Sequence, residues 1–221
     1  VPQLGVLGTG QVGQAIARRA AEVGYDVTVG ARSAGSSSLA VFAGDRGVAT
    51  GSFADAVAAA PLVVNATNGA VSLEALAQVG PEALAGTTLV DVSNELRPVD
   101  GGFPLPVATA EDSLGARIQH AYPASRVVKT LNTMNNAVMV RPASIPGDHL
   151  VFLSSDSVDA KDEVRTLLHA FGWRDPQMLD LGGIATAAAT EMMMAVWMAV
   201  TIARGPGAPR FNWAVLEAQT P

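Results

Sequence analysis

The chain of 221 residues contains no cysteine, only three histidines, and few charged side chains, 15% of the total. Without cysteine it can form no disulfide, no thiolate nucleophile and no zinc–thiolate centre. His120, His149 and His169 stand too far apart for ligand spacing, so a metal site is not expected. Basic residues are scarce as well: 14 Lys and Arg against 20 Asp and Glu, for a net charge of −6. That balance argues against a nucleic-acid binder, which presents a basic face. No charged leader precedes the first apolar run, and cytoplasmic residence is the expectation. Hydrophobic residues make up 49%. A chain this long and apolar can bury a sizeable core, in one large α/β domain or one domain with a small appendage. The shortage of surface charge points to a face covered by another subunit.

Glycine, by contrast, is plentiful, with 22 residues. Leu4, Val6 and Leu7 form a short apolar run that stops at Gly8-Thr9-Gly10-Gln11-Val12-Gly13. A helical pattern follows, with Val12, Ala15, Ile16, Ala20 and Val23 on one face and Gln14, Arg18 and Glu22 on the other. Gly24 closes that helix, and Asp26 to Gly30 reads as the next strand. The unit carries G-x-G-x-x-G at its first turn, the fingerprint of a dinucleotide site. Gly8 permits the tight turn, Gly10 has no side chain to block a pyrophosphate, and Gly13 lets the helix approach the strand. The stretch from Gly8 through Gln11 and Val12 to Gly13 is expected to meet phosphates at the positive end of the helix dipole.

The end of the second strand distinguishes the two nicotinamide dinucleotides. An NAD site places Asp or Glu there to accept from the ribose 2′-OH. Here the chain reads Gly30-Ala31-Arg32-Ser33, with no acid between Val27 and Gly44. A guanidinium and hydroxyls suit a 2′-phosphate, which a carboxylate would repel. Thr9 could donate to the same group. NADP(H) is the expected cofactor.

Further along, apolar strands alternate with helices. Strands are expected near Val48–Thr50, Pro61–Ala66, Thr87–Val92 and Arg126–Leu131, and helices over Leu39–Gly44, Phe53–Ala59, Ser72–Val79 and Ser113–Ala121. Ser52 and Asp55 form a capping-box pattern, and Ser72 is expected as a second cap. Arg97–Pro106, rich in Gly and Pro, reads as a loop near a site. The alternation predicts an α/β fold, a Rossmann-like doubly wound, mostly parallel sheet over residues 1–142. A small C-terminal α/β domain is expected over 143–221. Its mostly apolar stretch Ile184–Ala203 is long enough to cross a bilayer, but Glu191 lies within it, and a buried core or dimer helix is the expectation.

Right-handed crossovers bring the carboxyl ends of parallel strands to one edge, where ligands bind. Three polar clusters fall there: Asn65, Thr67 and Asn68 around Ala66; Ser93 and Asn94; and Asn132, Thr133 and Asn135 around Met134. Turn preference enriches Asn and Ser after any strand, so their weight lies in sharing an edge with the glycine motif.

With these residues in view, the chain resembles the NADPH-dependent reductases of coenzyme F420 and related NADP oxidoreductases. The likeness rests on Gly8–Gly13, Gly30–Ser33, Val63–Thr67, Leu89–Asn94, Thr190-Glu191-Met192 and Phe211-Asn212. Val127–Asn135 is its most specific stretch. The resemblance implies a homodimer and hydride transfer between the nicotinamide and C5 of a deazaflavin, the co-substrate F420. It implies NADP binding by Thr9, Arg32 and Ser33, nicotinamide contacts near Thr67, Ser93 and Asn94, and deazaflavin contacts near Asn132, Thr133 and Asn135. Asn94 and Asn132 would position the rings. The chain departs from the family pattern at Glu95-Leu96-Arg97-Pro98 and at Met193-Met194, both near the expected acceptor pocket.

Hydride transfer between stacked rings needs alignment more than an acid or base. No His/Asp or Tyr/Lys constellation stands out, and Lys129, in a predicted buried strand, reads as structural. Two alternatives use the same cofactor: an NADPH reductase of a small imine, enone or carbonyl, with Glu95–Arg97 as the place for a proton donor, and an NADP-binding redox sensor without turnover.

Overall fold

The computed structural model describes residues 1–218. Short Val- and Leu-rich runs form the central strands: β1 Gln3–Leu7, β2 Asp26–Ala31, β3 Val48–Ser52, β4 Leu62–Asn65, β5 Thr88–Asp91 and, after a two-residue pair β6 Leu96–Arg97 and β7 Leu105–Pro106, β8 Arg126–Thr130. Two more, β9 Val151–Ser154 and β10 Met178–Gly182, complete an eight-stranded sheet in the order β10-β9-β8-β5-β4-β1-β2-β3. From β3 to β8 every pairing is parallel. β9 runs antiparallel to β8 and parallel to β10. Strand order therefore reverses between β1 and β4, which opens a crevice at their carboxyl ends.

Helices cover both faces. α1 Gln11–Glu22, α6 Asn136–Val140 and α7 Val158–Phe171 pack on one side, through Ile16, Ala20, Val138, Val164, Leu168 and Phe171. α2 Phe53–Ala58, α3 Ser72–Val79, α4 Pro81–Leu84 and α5 Leu114–Ala121 cover the other, through Phe53, Val57, Leu76, Leu84, Leu114 and Ile118. Burying each large apolar side chain contributes about 1.5–3 kcal/mol. The sequence signals of the caps are realised at Ser52, whose hydroxyl accepts from the Asp55 N–H while Asp55 accepts from the Ser52 N–H. Ser113 and Ser157 cap α5 and α7 in the same sense.

Several expectations change. Ser72 caps nothing: it is the first residue of α3, buried, and its hydroxyl accepts from Asn65 Nδ2 at 2.5 Å. Leu39–Gly44 is a 3-10 turn over Ser37–Phe42, and Arg97–Pro106 carries the small β6–β7 ladder rather than a bare loop. The strands of residues 143–221, the last three of which lie outside the described residues, extend the first sheet instead of forming one of their own. The last helix, α8 Ala187–Arg204, is the one described helix long and apolar enough to span a bilayer, with about a third of its window buried. It docks its first turns on α5, while Val196 and Ile202 are exposed.

Candidate active site

The glycine turn behaves as its spacing requires. Gly8 has φ +112°, and a Cβ there would meet the Ala66 carbonyl at 2.6 Å. A Cβ on Gly13 would meet the Gly8 carbonyl at 2.1 Å. Gly10 differs: its φ is −71°, open to any residue, and a Cβ would have no neighbour within 4 Å. Nothing among the described residues demands glycine there, and the open space beside it leaves room for a group from outside the chain. The first turn of α1 has neither a side-chain cap nor an acid, which leaves its N–H groups and dipole turned to that space. This cradle fits a dinucleotide pyrophosphate.

Two hollows adjoin the turn. One, of about 270 Å³, is lined by Gly8, Thr9, Gly10, Arg32, Ala66, Thr67 and Asn68, with Glu74 and Gln78 of α3 opposite. Arg32 is exposed there and forms no ion pair with any described residue. The second, of about 240 Å³, shares Ala66, Thr67 and Asn68 with the first and continues past Val12, Ser93, Asn94, Asn132 and Met134 to Met139, Met194 and Trp197. No ionisable side chain of a described residue lines it. Gly69 holds the two loops together: its Cβ would lie 2.2 Å from the Asn94 carbonyl.

Asn94 and Asn132 sit side by side and bind each other. Asn94 Nδ2 donates to the Asn132 carbonyl at 2.8 Å, and Asn132 Nδ2 donates to Asn94 Oδ1 at 2.9 Å. Leu131, the residue before Asn132, adopts φ 61°, the left-handed region that a leucine enters only at a cost of about 1–2 kcal/mol. Such strain collects at functional sites.

Beneath the floor lies a buried polar network. Lys129 Nζ, fully buried, donates to Asp91 Oδ2 at 2.8 Å, Glu191 Oε1 at 2.8 Å and the Ser93 carbonyl at 2.5 Å. Asp91 Oδ1 accepts from Asn65 Nδ2 and Ser93 Oγ, and Thr67 Oγ1 donates to Asn65 Oδ1. Glu191 accepts the N–H groups of Leu114 and Gly115 at the start of α5. Burial pushes the Lys129 ammonium towards neutrality, but Asp91 and Glu191 outweigh it and raise its pKa above the ordinary value. The lysine stays charged and ties β5, β8, α5 and α8 beneath the cleft.

The expected site residues thus divide. Gly8, Thr9, Gly10, Val12, Arg32, Ala66, Thr67, Asn68, Ser93, Asn94, Asn132 and Met134 line the two hollows. Asn135 lines a neighbouring one and caps α6. Gly13 packs under the turn, and Gln11, Ala31 and Ser33 do not line these hollows. Asn65 and Thr133 are buried behind the wall; Asn65 braces Thr67 and Asp91, and the Thr133 carbonyl accepts from Trp213 Nε1. Glu95, expected near the pocket mouth, is engaged by Arg117. Met194, marked in the sequence as a departure near the acceptor pocket, lines the second hollow, whereas no site role was read for Trp197 of α8, for Gly69 or for the partners of Lys129. That last set had one signal: Asp91 and Lys129 fall towards the carboxyl ends of two apolar strands, and they lie in register.

Comparison with known proteins is consistent with this geometry. The family described as NADP oxidoreductase, coenzyme F420-dependent, matches residues 3–95. A crystal structure from Arthrobacter sp. FB24, named as a candidate F420-dependent NADP reductase, is 41% identical and superposes with a TM-score of 0.90, covering 98% of this chain and all of that one. The rat metalloreductase STEAP3 is 26% identical over 86% of this chain, which spans only 36% of that relative's length. A reductive aminase from Aspergillus terreus, solved with NADPH and ethyl levulinate, shares the fold at 19% identity and a TM-score of 0.67, covering 92% of this chain and 63% of that one.

Proposed function

We propose, from the premise that this chain belongs to the coenzyme F420-dependent NADP oxidoreductase family, that it passes hydride between NADPH and the deazaflavin ring of coenzyme F420. When bound, the nicotinamide supplies the hydride: NADPH, F420 and a solvent proton give NADP⁺ and F420H2. The observation that carries the reading is the character of the second hollow, whose walls are amide, hydroxyl, aliphatic, methionine and tryptophan side chains with no titratable group among the described residues. Such a surface suits the alignment of two flat rings, which is most of what hydride transfer between them requires.

The chain's residues divide the work along the crevice. Gly8–Gly13 and the start of α1 bind the pyrophosphate. Arg32 meets the 2′-phosphate at the end of β2, where an NAD site would carry an acid. Thr67, held by Asn65, and the loop Ser93-Asn94, held by Lys129, orient the nicotinamide. The Asn94–Asn132 pair fixes the distance between the β5 and β8 loops, and Met194 and Trp197 complete the wall. Reduction of an imine or carbonyl would call for a proton donor beside the acceptor carbon, and the hollow has none among its lining residues.

Mixing the protein with NADPH and F420 tests the proposal through the visible absorbance of F420. The expected result is its loss, with no NADPH consumption in the presence of cyclic imines. Turnover of imines with F420 untouched would overturn the acceptor assignment; tight NADPH binding without any turnover would favour a sensor.

A further inference from the structure

The crevice does not end at Trp197. On the other side of that indole lies a third hollow, of about 210 Å³, walled by Asn135, Trp197, Arg204, Arg210 and Phe211. Trp197 and Phe211 stack with centroids 5.9 Å apart and planes 24° from parallel, and the Arg204 guanidinium lies 5.4 Å from the Phe211 ring centroid. The three hollows are joined by shared residues, Ala66 to Asn68 between the first two and Trp197 between the last two. The three hollows therefore lie in succession, from Arg32 at one end to Arg204 and Arg210 at the other, with the uncharged one between them and Trp197 as the wall it shares with the last.

The placement of charge along them is selective. Arg32, Arg204 and Arg210 have no carboxylate partner among the described residues. Every other lysine and arginine apart from Arg46 and Arg97 has one. In a chain of net charge −6, cations left uncompensated at both ends of this succession mark places for anions. Arg204 has a second reason for its position, since it lies in the last turn of α8, where the helix dipole favours a cation. Arg210 lies outside any helix and has no such reason. The segment between them, Gly205-Pro206-Gly207-Ala208-Pro209, lines the same hollow and, with two prolines, limits the positions the arginines can take.

We propose that this third hollow binds the anionic tail of the hydride acceptor, the phosphodiester and carboxylates that coenzyme F420 carries beyond its ring. The ring lies on the uncharged side of Trp197, and the tail passes that indole to Arg204 and Arg210. Guanidinium groups meet phosphate and carboxylate oxygens with paired, directional N–H donors, so the two arginines select acceptors that carry such groups over neutral rings of the same shape. The inference rests on the acceptor reading above and adds the determinant of its specificity.

The test compares F420 with 7,8-didemethyl-8-hydroxy-5-deazariboflavin, which has the same ring and lacks the phosphodiester and carboxylates, each reduced by NADPH. The wild-type protein is expected to show a KM at least about tenfold lower for F420. Raising the salt concentration should raise that KM and leave the other in place. In Arg204→Ala/Arg210→Ala the ratio of the two KM values should collapse towards one. Arg204→Lys/Arg210→Lys, which keeps the charge but not the paired donors, should restore part of it. A ratio near one in the wild-type protein, or one that the double alanine variant leaves intact, overturns the tail site while the acceptor reading stands. If neither deazaflavin is reduced, the acceptor reading fails and the tail site with it. Circular dichroism of each variant separates a lost contact from a lost fold.

Discussion

Replacing Lys129 by methionine probes the floor of the cleft. The ammonium is fully buried, and three acceptors within 2.8 Å take its three protons. Methionine fills similar volume but leaves Asp91 and Glu191 buried together without a cation. Removing one partner of a buried ion pair costs about 3–5 kcal/mol, chiefly because the remaining charge stays uncompensated. In a domain of this length each kcal/mol lowers Tm by about 2–4 °C, so scanning calorimetry should register a fall of about 6–20 °C. Adding Asp91→Asn to Lys129→Met removes one stranded carboxylate. The double variant should be more stable than the sum of the two single losses by about 0.5–3 kcal/mol. Because Lys129 also holds the Ser93 carbonyl, the affinity for NADPH should fall in Lys129→Met while folded protein remains. A single variant within about 0.5 kcal/mol of the wild type, or strictly additive losses, would refute the network.

The pH dependence has a defined sign. The Lys129 pKa is raised above its ordinary 10.5, so its contribution to stability is fully present below that value and is lost as pH climbs through the higher folded value. The Tm difference between wild type and Lys129→Met should therefore hold steady between about pH 8 and 10 and narrow only at stronger alkali. Gly10→Val, by contrast, should leave Tm almost unchanged, since a Cβ there meets no protein atom, while calorimetric titration shows NADPH binding lost; retained affinity would make the turn merely structural. Glu95→Gln should change the rate of F420 reduction by no more than about threefold, because the carboxylate is engaged by Arg117; a loss of about a hundredfold would make it a general acid.

The half of the fold that is legible in the sequence is the half built from local rules. Apolar runs such as Val63-Val64 and Leu89-Val90 announce buried parallel strands, and Ser52 with Asp55 announces a helix start. Gly8, Gly10 and Gly13 show their spacing directly, and Arg32 stands out because an acid is missing beside it. What escapes such reading depends on distant parts of the chain. Glu191 lies in a stretch whose apolar character invites a core or membrane helix, and only the fold brings its carboxylate to Lys129 and to the start of α5. Ser72 looks like a cap and is a buried acceptor for Asn65. Nothing in Leu131 announces the positive φ that it adopts next to the Asn94–Asn132 pair. Trp197 and Arg204 resemble any residues of an apolar helix until α8 is laid across the strand ends.

The account depends most on a 2′-phosphorylated dinucleotide lying over the β1–α1 turn with Arg32 at its extra charge. Calorimetric titration of NADPH and NADH into the wild-type protein and into Arg32→Ala measures this directly. The wild type should bind NADPH more tightly than NADH by at least about tenfold, the worth of one charge-assisted contact, and the variant should lose that preference with its NADH affinity nearly intact. Equal affinities in the wild type, or equal losses for both cofactors in the variant, would contradict it.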